Sequence, residues 1–184
     1  MSWLRSSRSR SAFIRLLSPH PNYKVLDVGA GSGRVAALVQ RTTSCEVHAL
    51  EPSEKKVGSM QRKHPGLKTC LASAGSIPYP DGFFDRVYST MAMHHFPDQA
   101  KSLAEMARVL RPDGVLLIVD ISPTSFLGRL GRFFENTVLR SRLKFLAPEE
   151  VKTMLVQSGF FEVTGMETLG SAYAVQAQRK AVPP

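Results

Sequence analysis

The stretch Val25-Leu26-Asp27-Val28-Gly29-Ala30-Gly31-Ser32-Gly33 decides how this chain folds. An apolar run carries an acid near its end and passes into three glycines at alternate positions. An apolar helical pattern follows from Arg34. The reading is a strand, a tight glycine-rich turn and a helix N-terminus. Glycines let backbone N–H groups approach a ligand closely, and the helix end favours anionic groups.

Two ligand classes use such a turn. A dinucleotide site has the pattern G-x-G-x-x-G directly after the strand. Counted from Gly29 the sixth position is Arg34, so that register fails. Counted from Gly31 it ends at Ala36, which fits the looser form but starts two residues late. That register leaves Asp27 unexplained. A carboxylate at the end of a central strand is costly to desolvate unless something pairs with it. Either a cationic ligand without phosphate pairs with Asp27, or Asp27 caps the N–H groups of its own loop. The next acidic strand end is Glu46-Val47-His48-Ala49-Leu50-Glu51-Pro52-Ser53. Glu51 lies about twenty residues past the turn, where nucleotide folds place a ribose-binding acid. A carboxylate accepts two hydroxyl hydrogen bonds, which suits a free ribose diol; a solvated strand-end Glu is the other reading.

Two further stretches follow in order. One is Ser76-Ile77-Pro78-Tyr79-Pro80-Asp81-Gly82-Phe83-Phe84-Asp85. The other is Met93-His94-His95-Phe96-Pro97-Asp98 leading to Leu110-Arg111-Pro112-Asp113-Gly114. With these four stretches the chain, from about Phe13 to about Gln178, resembles the class I S-adenosylmethionine (SAM)-dependent methyltransferases, in particular the type-11 small-molecule branch. The resemblance implies SAM as cofactor, a ligand with a sulfonium and an ammonium and no phosphate. It implies cofactor contacts at Asp27, Gly29, Ala30, Gly31, Gly33, Glu51, Pro52, Ser73, Ala74, Ser89 and Thr90, and it makes His94 and His95 the catalytic candidates. One departure stands out: Ser73 occupies the position where family members often carry an acid for the adenine amino group. A hydroxyl accepts that bond more weakly than a carboxylate.

Periodicity predicts strands at Lys24–Val28, Glu46–Leu50, Lys68–Leu71, Phe84–Ser89, Val115–Asp120, Phe160–Met166 and Ala172–Gln178, with helices between them, including Asp98–Leu110 and Glu149–Ser158. Pro112-Asp113-Gly114 reads as a turn. Alternating strands and helices mean an α/β fold with a mostly parallel sheet. The short link near Glu167–Ser171 makes the last two strands a hairpin. The resemblance implies a Rossmann-like seven-stranded sheet of order 3-2-1-4-5-7-6, one strand antiparallel, with helices on both faces. Ligands of such sheets bind beyond the carboxyl ends of the strands, which expects Asp27, Glu51, Ser73, Ser89 and Asp120 along one rim. Residues 1–184 are expected to form a single domain, with 1–10 a flexible basic N-terminus. The two cysteines, Cys45 and Cys70, show no metal-ligand spacing and read as buried, reduced thiols.

Charge is uneven. Of the net +9, residues 1–24 hold +5 and residues 120–146 hold +3. The second segment carries Arg129, Arg132, Arg140 and Arg142, with Leu127, Leu130, Phe134 and Val138 at helical spacing. It is a candidate lid or crossover helix (123–146). As a lid it would admit a small-molecule or lipid-like acceptor, or rest on an anionic membrane surface. Nucleic acid is a third use of the charge. Ser89-Thr90-Met91-Ala92, however, lacks the Asn/Asp-Pro-Pro-aromatic motif of methyltransferases that hold a flipped base. No apolar run approaches the ~18 residues of a membrane span, and a cytoplasmic protein is expected. The Ser- and Arg-rich start with no acid has the composition of a mitochondrial transit peptide, against its reading as the helix, Ala12–Leu17, that precedes the first strand. Two functions stay open: a methyltransferase acting on a small or lipid-like acceptor, and a non-catalytic chain of this fold that binds SAM or a protein partner.

Overall fold

The computed structural model describes residues 6–125, 144–169 and 171–179. The chain begins with helix α1 (Ser7–Leu17), then alternates β1 (Lys24–Val28), α2 (Arg34–Thr43), β2 (Glu46–Glu51), α3 (Glu54–Lys63), β3 (Lys68–Leu71) and β4 (Phe84–Thr90). A 3₁₀ turn at Met93–His95 leads to α4 (Gln99–Val109) and β5 (Leu110–Ile121). Helix α5 (Pro148–Gln157) precedes a closing hairpin, β6 (Phe160–Leu169) and β7 (Ala172–Arg179). The sheet has seven strands in the order β3-β2-β1-β4-β5-β7-β6. All neighbours are parallel except β7, which runs against both β5 and β6. Order, strand number and the antiparallel hairpin agree with the expectation. The candidate lid, 123–146, lies mostly outside the described residues, and so do Arg129, Arg132, Arg140 and Arg142.

Strand alternation sorts the core into two layers. On one face Leu26, Val87 and Ile118 pack with Leu103 and Met106 of α4 and Val151 and Leu155 of α5. On the other, Val25, Tyr88 and Leu117 pack with Phe13 and Leu17 of α1 and Val35 and Val39 of α2. Asp27, two residues from Val25, falls on this second face beside Tyr88, its parallel-strand partner.

Three expectations need correction. Ser7–Arg10, placed in a flexible basic tail, form the first turns of α1. Arginine is a good helix former, and the helix is anchored by Phe13 and Leu17, both fully buried. The turn at Pro112-Asp113-Gly114 does not end a connection; it lies within β5. Leu110 pairs with Phe84 and Val115 with Arg86, so the intervening residues bulge from the ladder, with Asp113 at φ +59°. The turn chemistry is real, but the strand resumes in the same direction. Third, Cys45 is buried and bonds the His20 carbonyl, whereas Cys70 is only half-buried.

Phe13 meets the Tyr88 ring edge-on at 5.4 Å between centroids, which makes α1 part of the core. Phe13→Ala should destabilise the fold by about 3–5 kcal/mol in urea unfolding. A loss below 1 kcal/mol would show that α1 is dispensable for the sheet.

Candidate active site

At the carboxyl ends of β1, β2 and β4 lies a cavity of about 600 Å³, within the usual size of a small-molecule site. Its wall combines the glycine turn, the end of β2 with Pro52, Ser73 and Ala74 after β3, and the segment from Thr90 to Pro97. Eight of the expected residues line it: Gly29, Gly31, Glu51, Pro52, Ser73, Ala74, Thr90 and His95. Asp27, Ala30, Gly33, Ser89 and His94 do not, and each has a physical reason. Asp27 and Ser89 are fully buried on the strands. Gly33 is a packing glycine: a Cβ there would come within 2.5 Å of the Met60 side chain. Ala30 turns inward, its carbonyl accepting from Gly33 N–H. His94 packs behind the wall. Residues that the sequence reading passed over also line the cavity, among them Lys56, Met91, Ala92 and Phe96.

Gly29 is required by space as well as by backbone. Its φ is +79°, and a Cβ would sit 2.6 Å from that of Ala92. The turn can therefore close against the segment after β4 only with glycine here. The turn's donors are largely consumed within the protein. Gly29 and Ala30 N–H both donate to the Leu50 carbonyl, Gly33 N–H to Ala30, and Gly31 N–H to Glu51 Oε2 at 2.9 Å. This arrangement does not offer a phosphate the open ring of N–H groups that dinucleotide turns provide.

The Glu51 carboxylate is nearly buried at the cavity wall. Oε1 accepts from Ser53 N–H at 3.2 Å and lies 3.4 Å from Lys56 Nζ. A carboxylate has about four acceptor positions, so capacity remains for hydroxyl groups of a ligand.

Asp27 differs. It is fully buried, and among the described residues neither its oxygens nor the Tyr88 hydroxyl meets a partner in good hydrogen-bond geometry. Burial raises its pKa to about 7; the nearby Tyr88 hydroxyl opposes that rise and the Glu51 charge adds to it. Such an unsatisfied buried carboxyl is destabilising unless a cation or a proton compensates it.

Beyond the cavity wall, His94 Nδ1 lies 2.6 Å from Asp120 Oδ1, and His94 N–H donates to Asp120 Oδ2 at 3.0 Å. The His94 ring stacks on Phe145 at 4.7 Å and lies 4.2 Å from the His95 ring. His95 is exposed at the cavity. Its pKa is lowered by partial burial and by His94.

A family model described as a methyltransferase domain, type 11, matches residues 26–118, half of the chain, and the chain belongs to this family of class I SAM-dependent methyltransferases. It is 41% identical over 105 residues to the methyltransferase GfsG of Streptomyces halstedii, covering 54% of this chain and 38% of that protein. It is 25% identical over 182 residues to a demethylmenaquinone methyltransferase of Thermotoga maritima, covering 87% of this chain and 80% of that one. The chain spans half or less of several other curated relatives that it matches. Among solved structures, the YcgJ protein of Bacillus subtilis superposes with a TM-score of 0.80 at 18% identity, covering 96% of this chain and all of that one. That likeness is one of fold.

The raised pKa of Asp27 has a consequence for stability. The unfolded chain releases this proton near pH 4, the folded chain only near 7. The folded state thus holds the extra proton between those values. Stability falls as pH rises through that window, by roughly 1.4 kcal/mol per pH unit. Asp27→Asn should remove this slope and gain stability over wild type between pH 5 and pH 8 in urea melts. Parallel pH profiles for the two proteins would show that Asp27 is not the group that titrates.

Proposed function

We propose that this chain binds SAM in the cavity at the carboxyl ends of β1, β2 and β4, and transfers its methyl group to a small-molecule or lipid-like acceptor. The observation that carries the reading is the pairing of a glycine turn whose donors are internally used with a carboxylate at the neighbouring strand end. Phosphate recognition has no open N–H cradle there, whereas a ribose diol has Glu51. The orphaned Asp27 carboxyl beneath the turn fits a cofactor that brings positive charge. When bound, SAM supplies a methyl group on a sulfonium, an electrophile already activated toward in-line displacement. The protein's part is then mainly to hold donor and acceptor in a near-attack geometry.

In this reading Glu51 takes the ribose hydroxyls, Pro52 and Ala74 flank the adenine, and Ser73 accepts from its amino group. Gly29, Ala30, Gly31 and Gly33 shape the turn under the methionine portion. Asp27 and Ser89 act from below the wall, and Thr90 borders the reacting end. Relatives named for small-molecule and lipid acceptors, the demethylmenaquinone methyltransferase among them, support the acceptor class. Among the described residues no helix is long and apolar enough to cross a membrane. A lipid-like acceptor would then be met at a surface. We place that contact on the basic segment with Arg129, Arg132, Arg140 and Arg142, from charge alone. Co-sedimentation of the Arg129→Glu/Arg132→Glu variant with anionic vesicles tests it, and unchanged binding would remove the contact from the reading.

Titration with SAM by calorimetry tests the cofactor assignment. Glu51→Ala should weaken binding by about 1–3 kcal/mol through lost charge-assisted bonds, and Ser73→Asp should strengthen it by about 1 kcal/mol. NAD should give no heat. Unchanged SAM affinity in a folded Glu51→Ala protein would take Glu51 out of the site.

A further inference from the structure

From the donors around Glu51 we infer that Lys56 is a displaceable counter-ion of the site. In the empty cavity its ammonium holds the place of a ribose hydroxyl on the Glu51 carboxylate, and it gives up that place when a nucleoside binds. Lys56 thereby limits how long any ligand with a ribose diol is retained, the demethylated by-product included. This inference rests on the reading of the cavity as a SAM site in which Glu51 takes the ribose.

A count of donors carries it. A carboxylate has about four acceptor positions. Among the described residues Glu51 already meets three donors: Gly31 N–H on Oε2 at 2.9 Å, Ser53 N–H on Oε1 at 3.2 Å, and Lys56 Nζ, 3.4 Å from Oε1. The position left over serves one hydroxyl, and a ribose diol brings two, so one present donor has to give way. The two backbone donors are fixed. Gly31 follows Gly29 and Ala30, whose N–H groups are both tied to the Leu50 carbonyl. Ser53 is the N-cap of α3, its hydroxyl accepting from Lys56 N–H at 3.5 Å. That bond holds the Lys56 backbone in the first turn of α3 and leaves its side chain free to swing. The side chain lines the cavity and is 60% exposed, against 4% for Glu51. An ammonium on a flexible four-carbon stem is the one donor of the three that can move off into water.

The pair acts on the empty site and not on the filled one. Without a ligand, Lys56 spares the nearly buried Glu51 carboxylate part of the cost of a charge removed from water. With a nucleoside bound, the ribose hydroxyls take over that duty and the ammonium is hydrated again. Binding is therefore opposed by the worth of the ion pair, whatever the ligand carries beyond its ribose. The methyl donor and its by-product share that ribose, so both are weakened alike. Weakening that is the same for both leaves the methyl-transfer step itself untouched and shortens the stay of the by-product, whose release is a common limit on turnover.

Calorimetry on the full chain tests this with three ligands: SAM, S-adenosylhomocysteine and the uncharged nucleoside 5′-methylthioadenosine. Lys56→Met should tighten all three by about two- to fivefold, the range of a partly exposed ion pair, and slow S-adenosylhomocysteine release in stopped flow by a similar factor. In a Glu51→Gln background the same substitution should change nothing, because the pair is already broken. Salt screens an exposed pair, so it should tighten 5′-methylthioadenosine in wild type and leave its affinity for Lys56→Met level. A gain for SAM alone would show that Lys56 acts by repelling the sulfonium, and would overturn the inference. Unchanged or weaker binding in Lys56→Met, or a gain that persists beside Glu51→Gln, would overturn it too; each of these results leaves the SAM site standing. Folded wild-type and Lys56→Met proteins that bind none of the three ligands would overturn the reading of the site, and this inference with it.

Discussion

Three carboxylates sit at or near the carboxyl ends of neighbouring strands, and the site depends on how each is compensated. Burying a charge is costly unless hydrogen bonds or counter-charges replace its water. Glu51 ends β2 and is satisfied from the turn, from Ser53 and from Lys56. Asp120, near the end of β5, is satisfied by His94 and Ile121. Asp27 lies near the end of β1 and, among the described residues, meets no partner in good hydrogen-bond geometry. Two of the buried acids are thus compensated within the protein, and the third is not matched in the same way. The completed pair hold geometry: one ties the glycine turn to β2, the other holds the histidine turn to β5. The incomplete one keeps a local debt of free energy that a cationic cofactor would relieve on binding.

Much of the fold was legible because strand and helix periods differ and the turn chemistry is local. Asp27–Gly33 reads as strand, turn and helix from residue types alone, and the closing hairpin follows from a link too short for a crossover. What was not legible is three-dimensional. Nothing in the spacing of Pro112-Asp113-Gly114 distinguishes a turn that ends an element from a bulge inside one; the pairing of Leu110 with Phe84 decides that. The basic N-terminus misled because composition is silent on anchoring. Phe13 and Leu17, only a few residues on, pull the helix back to Ser7.

The site was legible to a similar depth. Glycines and acids identify which strand ends gather, but not which atoms face the cavity. Ser89 and Thr90 are equivalent in sequence terms, yet only Thr90 lines the wall. Gly33 carries the same signature as Gly29 and Gly31 but serves close packing on Met60. Lys56 had a faint signal, a cation five residues past Glu51 in the first turn of the next helix. Met91 had none, because its left-handed backbone, φ +52°, follows from the tertiary closure after β4.

The cavity wall and the buried His94–Asp120 pair draw on different strands. One side of the cavity wall rests on β1, β2 and β3, where the glycine turn, Glu51 and Ser73 meet it. The His94–Asp120 pair joins the turn after β4 to β5, neighbours in the parallel ladder. His94 belongs to a three-residue 3₁₀ turn, an element too short to fix a side chain by itself. Its position is set through Asp120, near the end of the stretch Val115–Ile121 of β5 that pairs with β7 throughout and with β4 as far as Val119. The adjacent His95 shows the contrast. It shares the turn, lacks a carboxylate partner among the described residues, and faces the cavity exposed. His94, by contrast, is buried behind the wall and held there by Asp120.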